Sequence, residues 1–506
     1  MANENLYHLF ETRFSKARQK IALRPADSST PVTYAELEAN VSRYANALEK
    51  LGVEPGDRVS VQIEKSIANV YLYLAVLKVG AVYQPLNTAY TPAEVDYFIS
   101  DARPKIIVSD PKQALEIDNI AKAYGVLSVT TLDAKGEGAL AELAAAQPAQ
   151  HETVVRKSDD LAGLLYTSGT TGRSKGAMLS HHNLSSNALT LHELWQFAPN
   201  DVLVHALPIF HVHGLYVALN TAFLNTSEII WMSKFDANAV VDALPQASVL
   251  MGVPTFYTRL LSEPAFTKDA CANMRLFISG SAPLLAETHT EFEARTGHRI
   301  LERYGMTESG MITSNPYDGE RIAGTVGFAL PGVDVRVATD SGESLPAGEV
   351  GVLEAKGPNI FSGYWQMPEK TAEEFRKDGY FITGDIARMD ADGRVTIVGR
   401  AKDMIISGGF NVYPKEIESE IDDMAGIGES AVIGVPHHDF GEGVVAVVTP
   451  NGDAPTEADI ISALSTHLAK FKVPKRVYFV EALPRNTMGK VQKVELRETY
   501  KDTFAR

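Results

Sequence analysis

One cysteine in 506 residues, Cys271, excludes an intramolecular disulfide framework and a cysteine-rich zinc site, and agrees with a reducing compartment. No motif surrounds it in DACANMRLF, so it reads as a small packed side chain rather than a nucleophile. Positive charge is scarce as well. The 47 Lys and Arg against 63 Asp and Glu leave a net charge of −16, and no basic cluster reverses the sign locally. Such a field repels phosphates, which excludes nucleic acid and anionic membrane as field-driven partners. The longest apolar stretch, VYLYLAVLKVGAVY, is interrupted by Lys78 and Gly80 and is too short to span a bilayer, so a buried helix followed by a turn is expected. The N-terminal MANENLYHLF lacks an uninterrupted apolar segment and does not read as a secretory signal. A cytoplasmic protein is therefore expected, without internal repeats or low-complexity linkers.

What is present is the make-up of a folded protein, with 45% hydrophobic and 22% charged residues. Thr33-Tyr34-Ala35-Glu36 is a capping box ahead of Leu37, Val41, Tyr44, Leu48 and Leu51, with Gly52 as the stop. Thr91-Pro92-Ala93-Glu94 repeats this logic, and Lys105 to Val108 follows as a strand. The alternation continues through LAGLLYTSG, a helix near Asn183 to Trp195, ASVLMGVP and MRLFISG, as expected of layered α/β architecture. From about Val326 strands with Gly and Pro turns predict a β-rich subdomain, including a hairpin around Asp392-Gly393. After Arg400 comes a helix near Pro414, strands at ESAVIGVP and GVVAVVTP, a helix from Thr456 and a strand at RVYFV. The expected division is a large N-terminal domain, residues 1–401, and a small α+β domain, residues 402–506.

The segment with the strongest chemical content is Tyr166-Thr167-Ser168-Gly169-Thr170-Thr171-Gly172-Arg173-Ser174-Lys175-Gly176, placed directly after an apolar strand. Glycines permit close backbone approach, hydroxyls add hydrogen bonds, and Lys175 adds a point charge, so the loop suits a polyphosphate. It is not a Walker loop, because Lys175 lacks the preceding Gly and the following Ser or Thr. Composition alone also fits an ordinary solvent loop. In residue order, however, the segment resembles the adenylate-forming superfamily, which includes acyl-CoA synthetases, luciferases and peptide-synthetase adenylation domains.

Further motifs of that superfamily follow in order over nearly the whole chain. The resemblance implies a large nucleotide-binding domain and a small mobile C-terminal domain, with ATP and CoA as cosubstrates and Mg²⁺ as cofactor. Within Tyr304-Gly305-Met306-Thr307-Glu308 it assigns Tyr304 to adenine, Thr307 to phosphate and Glu308, with Thr170, to the metal. Alone, the Thr-Glu pair would read as a helix cap. Gly280-Ser281-Ala282-Pro283 resembles the adenine-binding strand end, and Asp385 with Arg400 resembles the ribose-binding pair, a carboxylate accepting from two hydroxyls. Pro484 to Lys490 resembles the catalytic-lysine loop, in which the Lys490 ammonium would neutralise charge where carboxylate meets α-phosphate. Lys402 resembles the hinge, and Ser407, Gly408, Gly409 and Phe410 the loop beside the pantetheine arm of CoA.

The choice of acid rests on fewer residues. His211, in LPIFHVHG, stands where the superfamily often has His on the acyl side, with His213 given less weight, and Ser279 and Gly280 flank the same pocket. Arg303 opposes a long alkyl chain. It can pair bidentately with a second carboxylate, or it can form an ion pair with Glu302 or Glu308. LPIFHVHG, ERYGMTE, SGGFNVYPKEIE and LPRNTMGKVQK together resemble bacterial malonyl-CoA synthetases, which implies malonate, with methylmalonate a second substrate, as the acid. A ligase for short or medium monocarboxylic acids and a non-catalytic nucleotide-binding protein are the other two readings.

Overall fold

The computed structural model of the chain describes residues 3–27, 29–167, 174–407, 410–437, 440–468, 470–486 and 489–505. Both predicted capping boxes are formed. Thr33 caps the helix Tyr34–Lys50 and Thr91 caps Pro92–Ala102, each accepting from the backbone N–H three residues on while the glutamate there reaches back. The apolar stretch around Lys78 is the helix Ile67–Lys78, buried on almost every face, and Gly80 ends it in the left-handed region at φ 72°. The helix expected near Asn183 begins earlier, at His181, because Ser180 supplies the cap and Asn183 closes its box.

Two largely parallel sheets make up the N-terminal body. A six-stranded sheet contains Arg58–Gln62, Val82–Pro85 and Leu161–Thr167; a nine-stranded sheet contains Val202–His205, Glu228–Trp231, Val249–Gly252, Leu276–Ser279 and Leu301–Met306. In the nine-stranded sheet Val249–Gly252 and Leu276–Ser279 are buried, nearly all-apolar runs, as strands covered on both faces should be, whereas Arg58–Gln62 of the six-stranded sheet buries Ser60 and Gln62 among its valines. One hydrophobic core joins both sheets. Ligands of open parallel sheets lie beyond the carboxyl ends of strands, and Thr167, His205, Ser279 and Met306 each end such a strand.

The β-rich part is a four-stranded antiparallel sheet, Asp334–Ala338, Val350–Lys356, Phe381–Met389 and Val395–Arg400. Its last two strands form the expected hairpin, with Gly393 at φ 87° in the turn. The small C-terminal domain has its own five-stranded sheet and two cores. Alternate residues of Ile427–His437 and Gly441–Pro450 face opposite sides, Val432 and Ala446 one core, Ile433 and Val445 the other. No helix among the described residues is long and apolar enough to cross a membrane. Cys271 is fully buried, as a packed side chain should be, and burial pushes its thiol up to about 12.

Candidate active site

Ser168, Gly169, Thr170, Thr171 and Gly172, expected to form the phosphate loop, lie outside the described residues, but the strands on either side are placed. Leu161–Thr167 and Lys175–Ser180 run antiparallel, with Thr167 opposite Lys175. The Lys175 ammonium lies 3.3 Å from a Glu374 oxygen and 4.1 Å from the centre of the Tyr364 ring. The Tyr364 hydroxyl in turn donates to Glu308 at 3.0 Å. Thr307 and Glu308 occupy the turn between the strands Leu301–Met306 and Gly310–Ser314. Glu308 is buried, and burial is the main cause of its raised pKa.

Sheet register explains the next pair. Asp385 and Arg400 are direct cross-strand neighbours, so the Arg400 Nε reaches the Asp385 carboxylate at 3.0 Å. The Tyr304 hydroxyl donates to the other oxygen of Asp385. Ser281, Ala282 and Pro283 line the loop between Leu276–Ser279 and the helix Ala286–Thr296. Ser281 has a left-handed φ of 73°, a conformation that costs a non-glycine residue energy and concentrates at functional sites. Its hydroxyl lies 3.1 Å from His213 Nδ1.

Arg303 is 4% exposed, and among the described residues no carboxylate lies within 4 Å of its guanidinium. Its Nε and Nη2 are buried with no acceptor among the described residues. Burial accordingly pushes this arginine down to about 9. Neither predicted ion pair forms. Glu302, the preceding strand residue, points to the opposite face, where it accepts from the Gly324 N–H at 3.0 Å, while Glu308 is engaged by Tyr364. The guanidinium occupies space left by the missing side chain of Gly280: a Cβ there would lie 2.4 Å from Arg303 Cζ. The Ser279 hydroxyl and His213 Nε2 are likewise buried without protein partners. Desolvation, with Lys490 and Arg303 nearby, pushes His211 down to about 3, so this imidazole is neutral at pH 7.

The C-terminal domain brings Lys490 to the same place. Asn486 holds the lysine loop from both sides, accepting from the Lys490 N–H at 2.9 Å and donating its own N–H to the Lys490 carbonyl at 2.9 Å. Gly489, at φ 75°, faces Thr255 of the N-terminal domain, where an added Cβ would approach to 3.4 Å. Burial pushes Lys490 down to about 8, aided by the Arg400 charge and opposed by Asp385 and Glu308. Lys402 is exposed beside this cluster, and its neighbour Asp403 is anchored by Arg497 at 2.7 Å. Ser407 is buried at the end of the strand Ile405–Ser407, paired with the Phe410 backbone; Gly408 and Gly409 lie outside the described residues.

Lys490 of the C-terminal domain, the buried Glu308 and the Asp385–Arg400–Tyr304 group thus lie within electrostatic reach of one another. The AMP-binding enzyme family model matches residues 10–365, and that of the AMP-binding enzyme C-terminal domain matches residues 416–490. The chain belongs to the AMP-binding enzymes. It is an acid–thiol ligase of the adenylate-forming superfamily. A feruloyl-CoA synthase of Amycolatopsis sp is 37% identical over 93% of this chain and 94% of its own length. A malonate–CoA ligase of Arabidopsis thaliana is 32% identical over 98% and 89%. ATP-bound MatB of Rhodopseudomonas palustris is 56% identical, covers 99% of this chain and 100% of its own, and superposes with a TM-score of 0.97; its apo form scores 0.85.

Reading from sequence overlooked Tyr364 and Glu374, the partners of Glu308 and Lys175. No local motif marks them, since both lie far along the chain from the groups they touch. The contact of His213 with Ser281 spans 68 positions, so no local motif marks it either.

Proposed function

We propose that this AMP-binding enzyme is a malonyl-CoA synthetase, converting malonate, ATP and CoA to malonyl-CoA, AMP and pyrophosphate through malonyl-adenylate, with methylmalonate as a second substrate. The observation that carries this reading is the buried Arg303 guanidinium, whose Nε and Nη2 have no acceptor among the described residues. A buried cation is costly unless paired, and a planar fork matches a carboxylate. The distal carboxylate of a short diacid satisfies both requirements, whereas an alkyl chain satisfies neither. Similarity to the malonate–CoA ligase and to MatB supports the same choice.

In the first half-reaction a carboxylate oxygen of malonate attacks the α-phosphorus and pyrophosphate leaves. Lys490 supplies positive charge between the two anions that meet there. The polyphosphate lies against residues 167–172 and Lys175, adenine against Tyr304 and residues 281–283, and the ribose hydroxyls against Asp385 and Arg400. Thr307 contacts the α-phosphate. His211, neutral, lines the acyl side with Ser279 and Gly280 without adding a competing charge. Mg²⁺ fits Glu308: a single buried carboxylate held by Tyr364 suits an ion that takes its remaining ligands from phosphates, water and a hydroxyl such as that of Thr170. When bound, the ion supplies charge neutralisation along the phosphates. In the second half-reaction the CoA thiol attacks the acyl carbonyl and AMP leaves. Residues 402–506 rotate about Lys402, exchanging the Lys490 loop for residues 407–410 beside the pantetheine arm.

The test is a panel of mono- and dicarboxylates incubated with purified protein, ATP, Mg²⁺ and CoA, with thioester masses measured. Malonyl-CoA should dominate. Preference for butyrate would transfer the assignment to monocarboxylate ligases, and absence of AMP with every acid would reject catalysis.

A further inference from the structure

Away from the groups used above, one buried lysine has no carboxylate within 4 Å among the described residues. Lys65 follows the strand Arg58–Gln62 of the six-stranded sheet and is 8% exposed. Its Nζ lies 2.8 Å from the His205 carbonyl, 2.6 Å from the Met232 carbonyl and 2.9 Å from His205 Nδ1, and 4.3 Å from the centre of the Trp231 ring. An ammonium has three N–H bonds, and all three find acceptors here. His205 and Trp231 end neighbouring strands of the nine-stranded sheet, so Lys65 ties the carboxyl ends of the two parallel sheets together.

The contact continues into the acyl-side segment. His205 Nε2 lies 2.9 Å from the Gly214 carbonyl. A carbonyl can only accept, so Nε2 carries the proton and Nδ1 is left to accept from Lys65. Trp231 stacks on the ring at 5.2 Å, fixing its plane. Gly214 adjoins His213 and closes on the Pro208 carbonyl, which an added Cβ would meet at 2.1 Å. The segment between these points carries His211, and the His213 N–H donates to His211 Nδ1 at 3.3 Å.

We infer that Lys65 and His205 are positioning residues for acid binding: a relay from Lys65 through His205 to the Gly214 carbonyl holds residues 207–214, and with them His211 and His213, against the acyl pocket. Neither touches a reacting atom. The relay determines how tightly the acid is held; it contacts none of Asp385, Arg400 and Lys175, and reaches the nucleotide side only at second hand, through the His213–Ser281 contact. Lys65 also lines an open cavity of about 320 Å³ together with Pro208, Ile209 and Phe210 of the same segment, so loosening the segment has room to occur.

The test is a double-mutant cycle on the full chain, using pyrophosphate release with whichever of malonate and butyrate the wild type prefers, so that the outcome is independent of the malonate assignment. Lys65→Met and His205→Phe should each raise the KM for the acid about tenfold, the cost of an unpaired buried polar group. The KM for ATP should rise much less than that for the acid, and the double variant should be no worse than the more damaged single one, since both break one chain of contacts. Lys65→Gln, which keeps two N–H donors for the buried carbonyls of His205 and Met232, should recover part of the loss. Equal rises in both KM values, additive losses in the double variant, or no change in acid KM for Lys65→Gln and His205→Phe would each overturn the relay.

Discussion

Replacing Gly280 with alanine tests the acid assignment without touching a charge. The added Cβ would stand 2.4 Å from both Cζ and Nη1 of Arg303 and 2.7 Å from Nε. Ordinary carbon contacts begin near 3.5 Å, so the guanidinium has to retreat by about 1 Å. Two parallel N–H···O bonds of about 2.8 Å do not survive such a shift. Breaking a buried charge pair costs about 2–5 kcal/mol, which corresponds to a loss of roughly 30-fold to several thousand-fold in kcat/KM for malonate. Arg303→Ala should fall within that range and Gly280→Ala toward its lower end, because a displaced cation still contributes some field. The assay is pyrophosphate release with malonate and with butyrate, each at saturating ATP. Butyrate has no distal charge to lose and should change little or improve. Arg303→Lys should restore malonate only in part, since an ammonium lacks the two-point fork. An unchanged malonate-to-butyrate ratio in both Gly280→Ala and Arg303→Ala would make Arg303 a structural residue and return the acid to unknown.

Lys490→Ala should nearly abolish adenylate formation, at a cost of about 3–4 kcal/mol, while thioester formation from presynthesised acyl-adenylate persists; equal loss in both halves would reject its role. Lys402→Pro should adenylate normally and transfer poorly to CoA, because proline fixes φ near −65° and blocks rotation; transfer at the wild-type rate would move the pivot elsewhere. Burial pushes Glu302 up to about 8, so the folded state holds a proton that the unfolded chain releases near pH 4, and the stability tied to it is full below that value and lost as pH rises through 8. Glu302→Gln should therefore raise Tm relative to wild type at pH 9 and not at pH 4, measured by thermal melts; the same shift at both values would remove the carboxyl as the cause.

Local chemistry was readable from the chain, and pairings across the fold were not. The capping boxes at Thr33 and Thr91 could be predicted because both partners lie within four residues. Arg303 illustrates the boundary. Its ion pair with Glu302 could have been excluded from sequence once LERYGM was taken as a strand, because adjacent strand residues point to opposite faces. That its fork would be left without a protein acceptor could not, since this depends on which groups the sheet order brings near Gly280. The relay from Lys65 to His205 spans 140 positions and joins two sheets, so no window of sequence contains it. The Asp385–Arg400 pair lies between: the hairpin at Gly393 was predicted, but its register, which makes them neighbours, was not.

The arrangement of partners explains why this site should discriminate unevenly between acids. Asp385, Glu308 and Lys175 already have protein partners, namely Arg400 with Tyr304, Tyr364 and Glu374. On the proposed roles of these residues, nucleotide binding would exchange one set of contacts for another. Among the described residues Arg303 has no such partner, so on the proposed assignment an acid lacking a distal carboxylate would leave the cation buried and unpaired and incur a desolvation penalty in addition to the missing attraction. On the proposed malonate assignment, selection against monocarboxylates is built from a penalty that reaches several kcal/mol. Selection against methylmalonate can rest only on shape, where one methyl group is worth about 1–3 kcal/mol. The expected order in kcat/KM is malonate first, methylmalonate within roughly 10- to 200-fold of it, and butyrate far below both. Butyrate ranking above methylmalonate in the same assay would mean that the cation at 303 is compensated from elsewhere, and that chain length rather than charge decides which acid is activated.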